Sequence, residues 1–241
     1  MSDLININLI DVVIILCILM AGLAGGKKGA INEIVNVVGI ILVYFLSFLL
    51  MNPLANIFYK YLPFFNFRGS LDGIVVFNII FYKILAFLII AFILFNLYTI
   101  ILKLSGLLQK LVNATIVLSI PSQIIGFLIG LVQGYIVVFI ALTILKIPCA
   151  NFNMFNESLF ADKIIYKSFI LTDSLGNTTQ AMHDVFDLVE TSKKNSKNSI
   201  NLKSLDVMLK YKVVDKETVN MLVDSNKLTG ITNIDTVTDK Y

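Results

Sequence analysis

The hydrophobic and polar positions along the chain form long apolar runs followed by a polar C-terminal part. A helix that crosses about 30 Å of hydrocarbon needs about 20 apolar residues. Four stretches meet this requirement: residues 5–24, 30–51, 84–102 and 124–145. The pattern predicts an all-α, polytopic membrane protein with about four transmembrane helices and a polar helical C-terminal tail.

Three segments between these runs are harder to interpret. Residues 74–82 are apolar but short, and they could extend the third helix outward, with Lys83 reaching the headgroups. Residues 107–120 mix apolar and polar side chains and predict an interfacial or re-entrant helix, with a fifth crossing as the less favoured alternative. Residues 52–72 are rich in Phe and Tyr, and we expect them to form a loop at the outer interface.

Three parts are expected along the chain. Residues 1–149 form a four-helix transmembrane module, residues 150–200 form post-membrane helices with a polar linker, and residues 201–241 form a small helical hairpin. Apolar residues recur at helical spacing over residues 157–171 and 180–190.

The hairpin follows the polar segment 191–201. Asp215 is predicted to cap its second helix, with Val214 and Val219 as a hydrophobic staple. Because about 40 residues rarely make a secure core alone, the hairpin should pack on itself, on the membrane surface or on a partner protein.

Composition supports the membrane assignment. Hydrophobic residues make up 57% of the chain and charged residues 15%, whereas soluble domains carry about 25% charged residues. The net charge of +3 includes no cluster of Lys and Arg, so we expect no nucleic-acid partner. Cys17 and Cys149 lack CxxC or Cys–His spacing, and we expect neither a disulfide nor a metal or other cofactor.

Four lysines set the predicted orientation. Lys27 and Lys28 lie between the first and second spans, and Lys103 and Lys110 lie between the third and fourth. Short loops rich in Lys and Arg stay in the cytoplasm. With four spans, both pairs lie on that side, and both termini are predicted outside.

Glycines at four-residue spacing mark two of the helices. The candidate packing glycines are Gly22, Gly26 and Gly29 at the end of the first helix, with Gly25 between them, and Gly126, Gly130 and Gly134 on the fourth. This spacing puts small residues on one helix face, where another backbone approaches closely. The partner helix belongs either to the same bundle or to a second copy, as a dimer seam or an intersubunit pore wall.

Polar residues inside the spans are the candidate chemical sites. Asp11 lies near the start of the first helix, and Asn32, Glu33 and Asn36 share one face of the second. Because an acid facing lipid is costly, Glu33 should face the bundle or a wet cavity. It is either an ion- or proton-handling group or a carboxylate that favours the helix start through the macrodipole.

No catalytic set is visible in the tail. HExxH and GxSxG motifs are absent, and the single histidine of the chain, His183, is expected on a solvated helix face. We therefore expect the chain not to be an enzyme.

Three segments carry a resemblance to the colicin V production (CvpA-like) protein family. They are residues 8–15 (NLIDVVII), 26–34 (GKKGAINEI) and 125–134 (IGFLIGLVQG). Residues 157–159 (ESL) are also similar to the start of a short post-membrane helix of the family. The chain departs from the family at Ser122 and Gln123, where an acidic or amide residue followed by arginine is common.

This resemblance implies a four-helix protein of the bacterial cytoplasmic (inner) membrane that is needed for making or exporting a bacteriocin. Some relatives carry an outer serine protease, whose motifs are absent here. Two hypotheses follow: a scaffold whose tail docks an unknown protein partner, or a channel or transporter component that uses the polar face of the second helix.

Overall fold

A computed structural model describes residues 8–104, 120–145, 157–167, 177–192 and 195–241. In these ranges the regular structure is helical, which confirms the all-α prediction. The helices are α1 (Leu9–Lys28), α2 (Ala30–Tyr61), α3 (Phe77–Leu104), α4 (Ile120–Leu145), α5 (Ala161–Lys167), α6 (Asn177–Thr191), α7 (Lys197–Lys210), α8 (Lys216–Asp224) and α9 (Asp235–Thr238). A 3-10 turn at Gly69–Leu71 interrupts the connection from α2 to α3.

Four of the described helices, α1 to α4, are long and apolar enough to cross a membrane. The predicted multi-pass membrane protein is thereby confirmed. Residues 107–119 lie outside the described residues, so the interpretation of that segment stays a prediction.

The second helix is longer than the predicted span. It has 32 residues, about 48 Å at 1.5 Å per residue, against about 30 Å of hydrocarbon. The predicted loop over residues 52–72 is wrong in its first half, because α2 continues to Tyr61. Met51, Ala55 and Tyr59 form a buried stripe at helical spacing, and this packing offsets the hydrogen bond that Pro53 cannot make.

The third helix also extends beyond its predicted span. It begins at Phe77, so the apolar segment before Lys83 does extend the helix outward, as predicted. The Lys83 side chain does not extend away from the protein as the sequence predicted. It is 4% exposed, and its ammonium donates a hydrogen bond of 2.5 Å to the carbonyl oxygen of Val213.

Packing divides the chain into two compact units, each assembled from two separate stretches. Unit 1 contains Met1–Ser47 and Ile90–Ser168, and unit 2 contains Phe48–Ile89 and Phe169–Tyr241. This division differs from the three consecutive parts predicted from the sequence, which stay a prediction.

Unit 1 is organised around α1, which packs along α4, while α5 contacts both helices. Elsewhere in this unit, the Tyr98 hydroxyl of α3 donates to the Val35 carbonyl of α2 at 2.9 Å. The Tyr98 ring covers Gly39, where a Cβ would collide with it. The outward side of α1 is apolar and exposed, for example at Met20 (67%), which suits contact with lipid rather than water.

Unit 2 joins the second half of α2 and the first half of α3 to the tail helices. The rings of Phe77 on α3 and Phe186 on α6 pack edge to face at 5.4 Å between centroids. Asn201 of α7 is buried and links the tail to the segment before α3. Its Oδ1 accepts from the Val76 amide at 3.2 Å, and its Nδ2 donates to the Gly73 carbonyl at 2.9 Å.

The N-cap predicted at Asp215 is confirmed. Asp215 caps α8 by accepting from the Thr218 amide at 2.7 Å, and both residues of the predicted staple are buried. The predicted polar linker is shorter than expected, because Ser196 caps α7 through the Ser199 amide and the helix begins at Lys197.

Tail helices α6 and α7 are joined by a polar contact. The Tyr211 hydroxyl donates to Asp184 at 2.9 Å, and this hydrogen bond raises the pKa of Tyr211 above its ordinary value. His183 lies on the outer side of α6, with its side chain 39% exposed and its Nδ1 3.2 Å from an Asp187 oxygen. Of the predicted helix at 157–171, the structure shows α5, and residues 168–176 lie outside the described ranges.

Candidate functional site

The glycines of α1 and α4 face each other within one chain. A Cβ on Gly126 would lie 2.6 Å from the Gly25 carbonyl oxygen and 2.9 Å from the Gly29 carbonyl carbon. A Cβ on Gly130 would lie 3.0 Å from the Gly22 Cα. The glycine faces are therefore used for helix packing within the bundle, where small residues let backbones touch.

The glycine contact between α1 and α4 is called the glycine seam below, and two other glycines of it are packed to different degrees. A Cβ on Gly134 would lie 2.7 Å from the Ala21 Cβ, so the contact continues along α4. Gly26 is more loosely packed, with the Gln123 carbonyl oxygen 3.3 Å from its ideal Cβ.

Gly29 forms the sharp turn between α1 and α2. Its φ of 82° and ψ of 164° lie in a region that only glycine adopts readily. Its amide donates to the Gly25 carbonyl at 3.0 Å. The next amide, that of Ala30, donates to the hydroxyl of buried Ser122 on α4 at 3.0 Å. Ser122 thus joins three helices at one point, a role that the sequence analysis did not assign to it.

Glu33 lies against this turn and is 1% exposed. Its Oε2 is 3.7 Å from the Lys28 ammonium and accepts from the Asn36 amide at 3.3 Å. Its carboxyl carbon would be 3.2 Å from a Cβ on Gly25. The neighbouring Asn32 donates to the Lys28 carbonyl at 2.8 Å. The carboxylate therefore fills the space that a glycine leaves at the seam.

Asp11 organises the opposite end of α1. It forms a capping box with Asn8, and it is fully buried. The Ser158 hydroxyl donates to its Oδ1 at 2.6 Å, and the amides of Phe160 and Leu159 donate to its two oxygens at 3.0 and 3.3 Å. Asp11 thus ties the segment before α5 to the start of α1. Nothing in the local sequence pattern indicates this contact, because the partners are 147 to 149 residues apart.

The two buried acids do not form one site. About 25 Å of helix separates Asp11 from the Lys28 end of α1. Within the described residues, no three His, Cys, Asp or Glu side chains are grouped as metal ligands would be. Lys27, Lys28 and Lys103 are exposed at the ends of α1 and α3, whereas Lys110 lies outside the described residues.

Gly126→Ala should destabilise the α1–α4 contact. The new methyl group meets backbone atoms of α1, which cannot rotate away, so the helices must separate at a cost of about 1–3 kcal/mol. Thermal unfolding in detergent measures the loss. Gly26→Ala is the matched control on the same seam, and equal melting temperatures for the two variants would contradict this packing.

Ser158→Ala should loosen the tie between α1 and the post-membrane segment. It removes a donor to buried Asp11 and an acceptor for the Ala161 amide, at a cost of about 1–3 kcal/mol. The same thermal unfolding assay measures this loss of stability. Ser225→Ala, which removes one exposed hydrogen bond to the Met221 carbonyl, should change the melting temperature much less, and an equally small effect of Ser158→Ala would refute the tie.

Comparison with known proteins gives a family match. The family described as colicin V production protein matches residues 10–168, a range that includes both buried acids and the whole glycine seam. No curated protein and no solved structure matches the chain. Because the family model covers most of the chain, this multi-pass membrane protein, with four described helices long and apolar enough to cross a membrane, belongs to the colicin V production protein family.

Proposed function

We propose that the protein is a non-enzymatic scaffold of a bacterial cytoplasmic membrane, acting in bacteriocin production or a similar export process. One observation carries the proposal: the two buried acids of the membrane helices hold helix ends together. Asp11 accepts hydrogen bonds from Asn8, Ser158, Leu159 and Phe160. Glu33 has Lys28 and Asn36 as its partners. Acids used in this way support a rigid anchor.

The tail supports the same proposal. Unit 2 packs α6, α7 and α8 with the ends of two long membrane helices. A compact unit of this kind suits the docking of a partner protein, whose identity the chain does not specify.

The alternative is a conducting protein that uses Asn32, Glu33 and Asn36. An ion path needs polar groups that are free to exchange partners. Here the Asn32 amide donates to the Lys28 carbonyl, and the Asn36 amide donates to Glu33. These contacts favour the scaffold, although Asn32, Glu33 and Asn36 do lie on one face of α2 as predicted.

Glu33→Gln separates the two functions because glutamine keeps the shape and removes the charge. For a scaffold, the variant should insert, support bacteriocin production in a complementation assay, and lose about 1–2 kcal/mol of stability. Proton flux into proteoliposomes, measured with an entrapped pH dye, should be equally low for the parent protein and for the Glu33→Gln variant. Asp224→Asn, which changes an exposed acid of unit 2, is the control. Flux by the parent protein that disappears in folded Glu33→Gln protein would overturn the scaffold.

Both termini are proposed to lie outside, as the lysines at the ends of α1 and α3 suggest. Single cysteines at Asn220 in α8 and at Leu104, the end of α3, test this in a background without Cys17 and Cys149. An impermeant thiol reagent applied to intact cells should label Asn220→Cys and leave Leu104→Cys unlabelled. The reverse pattern would place the tail in the cytoplasm.

A further inference from the structure

Unit 2 contains a cavity of about 490 Å³ between membrane helices and the tail. Asn52, Asn56 and Tyr59 line it from one face of α2, and Lys83 lines it from α3. The turn between α7 and α8 closes another side, with Tyr241 at its edge. Its size falls within the range of small-molecule sites, about 300–1,000 Å³.

The cavity is cationic. Lys83, Lys210, Lys212 and Lys216 line it, against the single carboxylate of Asp215. Asp215 is already used to cap α8, and Lys216 pairs with Asp239 at 3.1 Å. Lys210 and Lys212 are exposed at the rim. Positive charge therefore remains in excess after both acids are counted.

Lys83 is the deepest charge of this cavity. An ammonium group has three donors, and among the described residues its one hydrogen-bond partner is the Val213 carbonyl. Burying a cation without a full set of partners is costly. Asp215 interacts with the Lys83 ammonium electrostatically but is not its hydrogen-bond partner, so an anion in the cavity would supply the missing acceptors.

The position of the cavity along the helices indicates which anion it meets. The predicted span of α2 ends at Met51, directly before Asn52, and the predicted span of α3 begins at Ile84, directly after Lys83. These polar residues therefore stand at the level where both helices leave the hydrocarbon, which is where lipid headgroups lie. Lysine ammonium groups bind phosphate through charge-assisted hydrogen bonds, so a cationic cavity at this level suits an anionic headgroup.

We propose that this cavity binds the phosphate-bearing headgroup of an anionic phospholipid. Lys83 contacts the phosphate at the buried end of the cavity, and Lys210 and Lys212 attract it from the rim. Asn52 and Asn56 are placed to offer amide donors to the remaining headgroup oxygens. The site goes beyond the scaffold role and does not depend on it, since a conducting protein could hold the same lipid.

The absence of tryptophan from the chain permits a direct binding test. Tyr241→Trp places a single fluorophore at the edge of the cavity in the full-length protein, purified in a non-ionic detergent. Short-chain phosphatidylglycerol should change its fluorescence saturably, and short-chain phosphatidylcholine should not. Equal responses to the two lipids would overturn the proposal.

Three variants in this background locate the response. Lys83→Met should weaken phosphatidylglycerol binding at least tenfold. Lys227→Met is the matched control, since Lys227 also donates to a backbone carbonyl, that of Leu62 at 2.8 Å, but does not line the cavity. It should bind within twofold of the parent. Because Lys83→Met could disturb folding, Lys210→Gln with Lys212→Asn tests the rim, and it should weaken binding at least threefold. Unchanged binding in this rim variant would refute the site.

Inorganic phosphate distinguishes the source of the anion. At millimolar concentration it should compete with phosphatidylglycerol, as expected for a site that recognises the phosphate group. A response to inorganic phosphate without any response to phosphatidylglycerol would assign the cavity to a soluble phosphate and overturn the lipid assignment.

Discussion

The contact between the backbones of α1 and α4 is the constraint on which the rest of unit 1 depends. Lipid tails are as apolar as leucine side chains, so burial alone gives two membrane helices little reason to associate. Close approach through glycines replaces that missing drive with dispersion contacts along the seam. Gly126 and Gly130 allow no side chain there without pushing the helices apart. The hydrogen bonds from Ala30 to Ser122 and from Ser158 to Asp11 join residues distant in the chain, and they rely on the resulting position of α1.

Polar contacts are formed at both ends of α1, where the glycine seam holds this helix against α4. At one end, Gly29 turns the chain, Ser122 accepts from the Ala30 amide, and Glu33 covers the glycine surface. At the other end, Asp11 receives the segment before α5. The segment that resembles the family signature is thus a joint between three helices. The Ser122 hydroxyl accepts the hydrogen bond of the Ala30 amide at this joint without adding a charge.

Polar groups suited to external ligands are found mainly in unit 2. The acids of the membrane helices have partners inside their own unit, whereas Lys83 and the rim lysines face a cavity. This division is the basis of the two proposals, in which the spans provide the anchor and the tail unit binds lipid and protein partners. The same long helices serve both purposes, because α2 and α3 continue beyond the apolar spans and form part of the tail unit.

The sequence by itself determined the four spans, the glycine faces, the buried position of Glu33 and the cap at Asp215. Each of these depends on residues within a few turns of one another, where helical spacing and hydropathy decide the outcome. Only the tertiary structure decided that Asn52 to Tyr61 remains helical, because its stripe is buried by residues distant in the chain. The same holds for Asp11 with Ser158 and for Lys83 with Val213, which lie 147 and 130 residues apart. Side chains that find partners across such separations leave no periodic signal in the sequence.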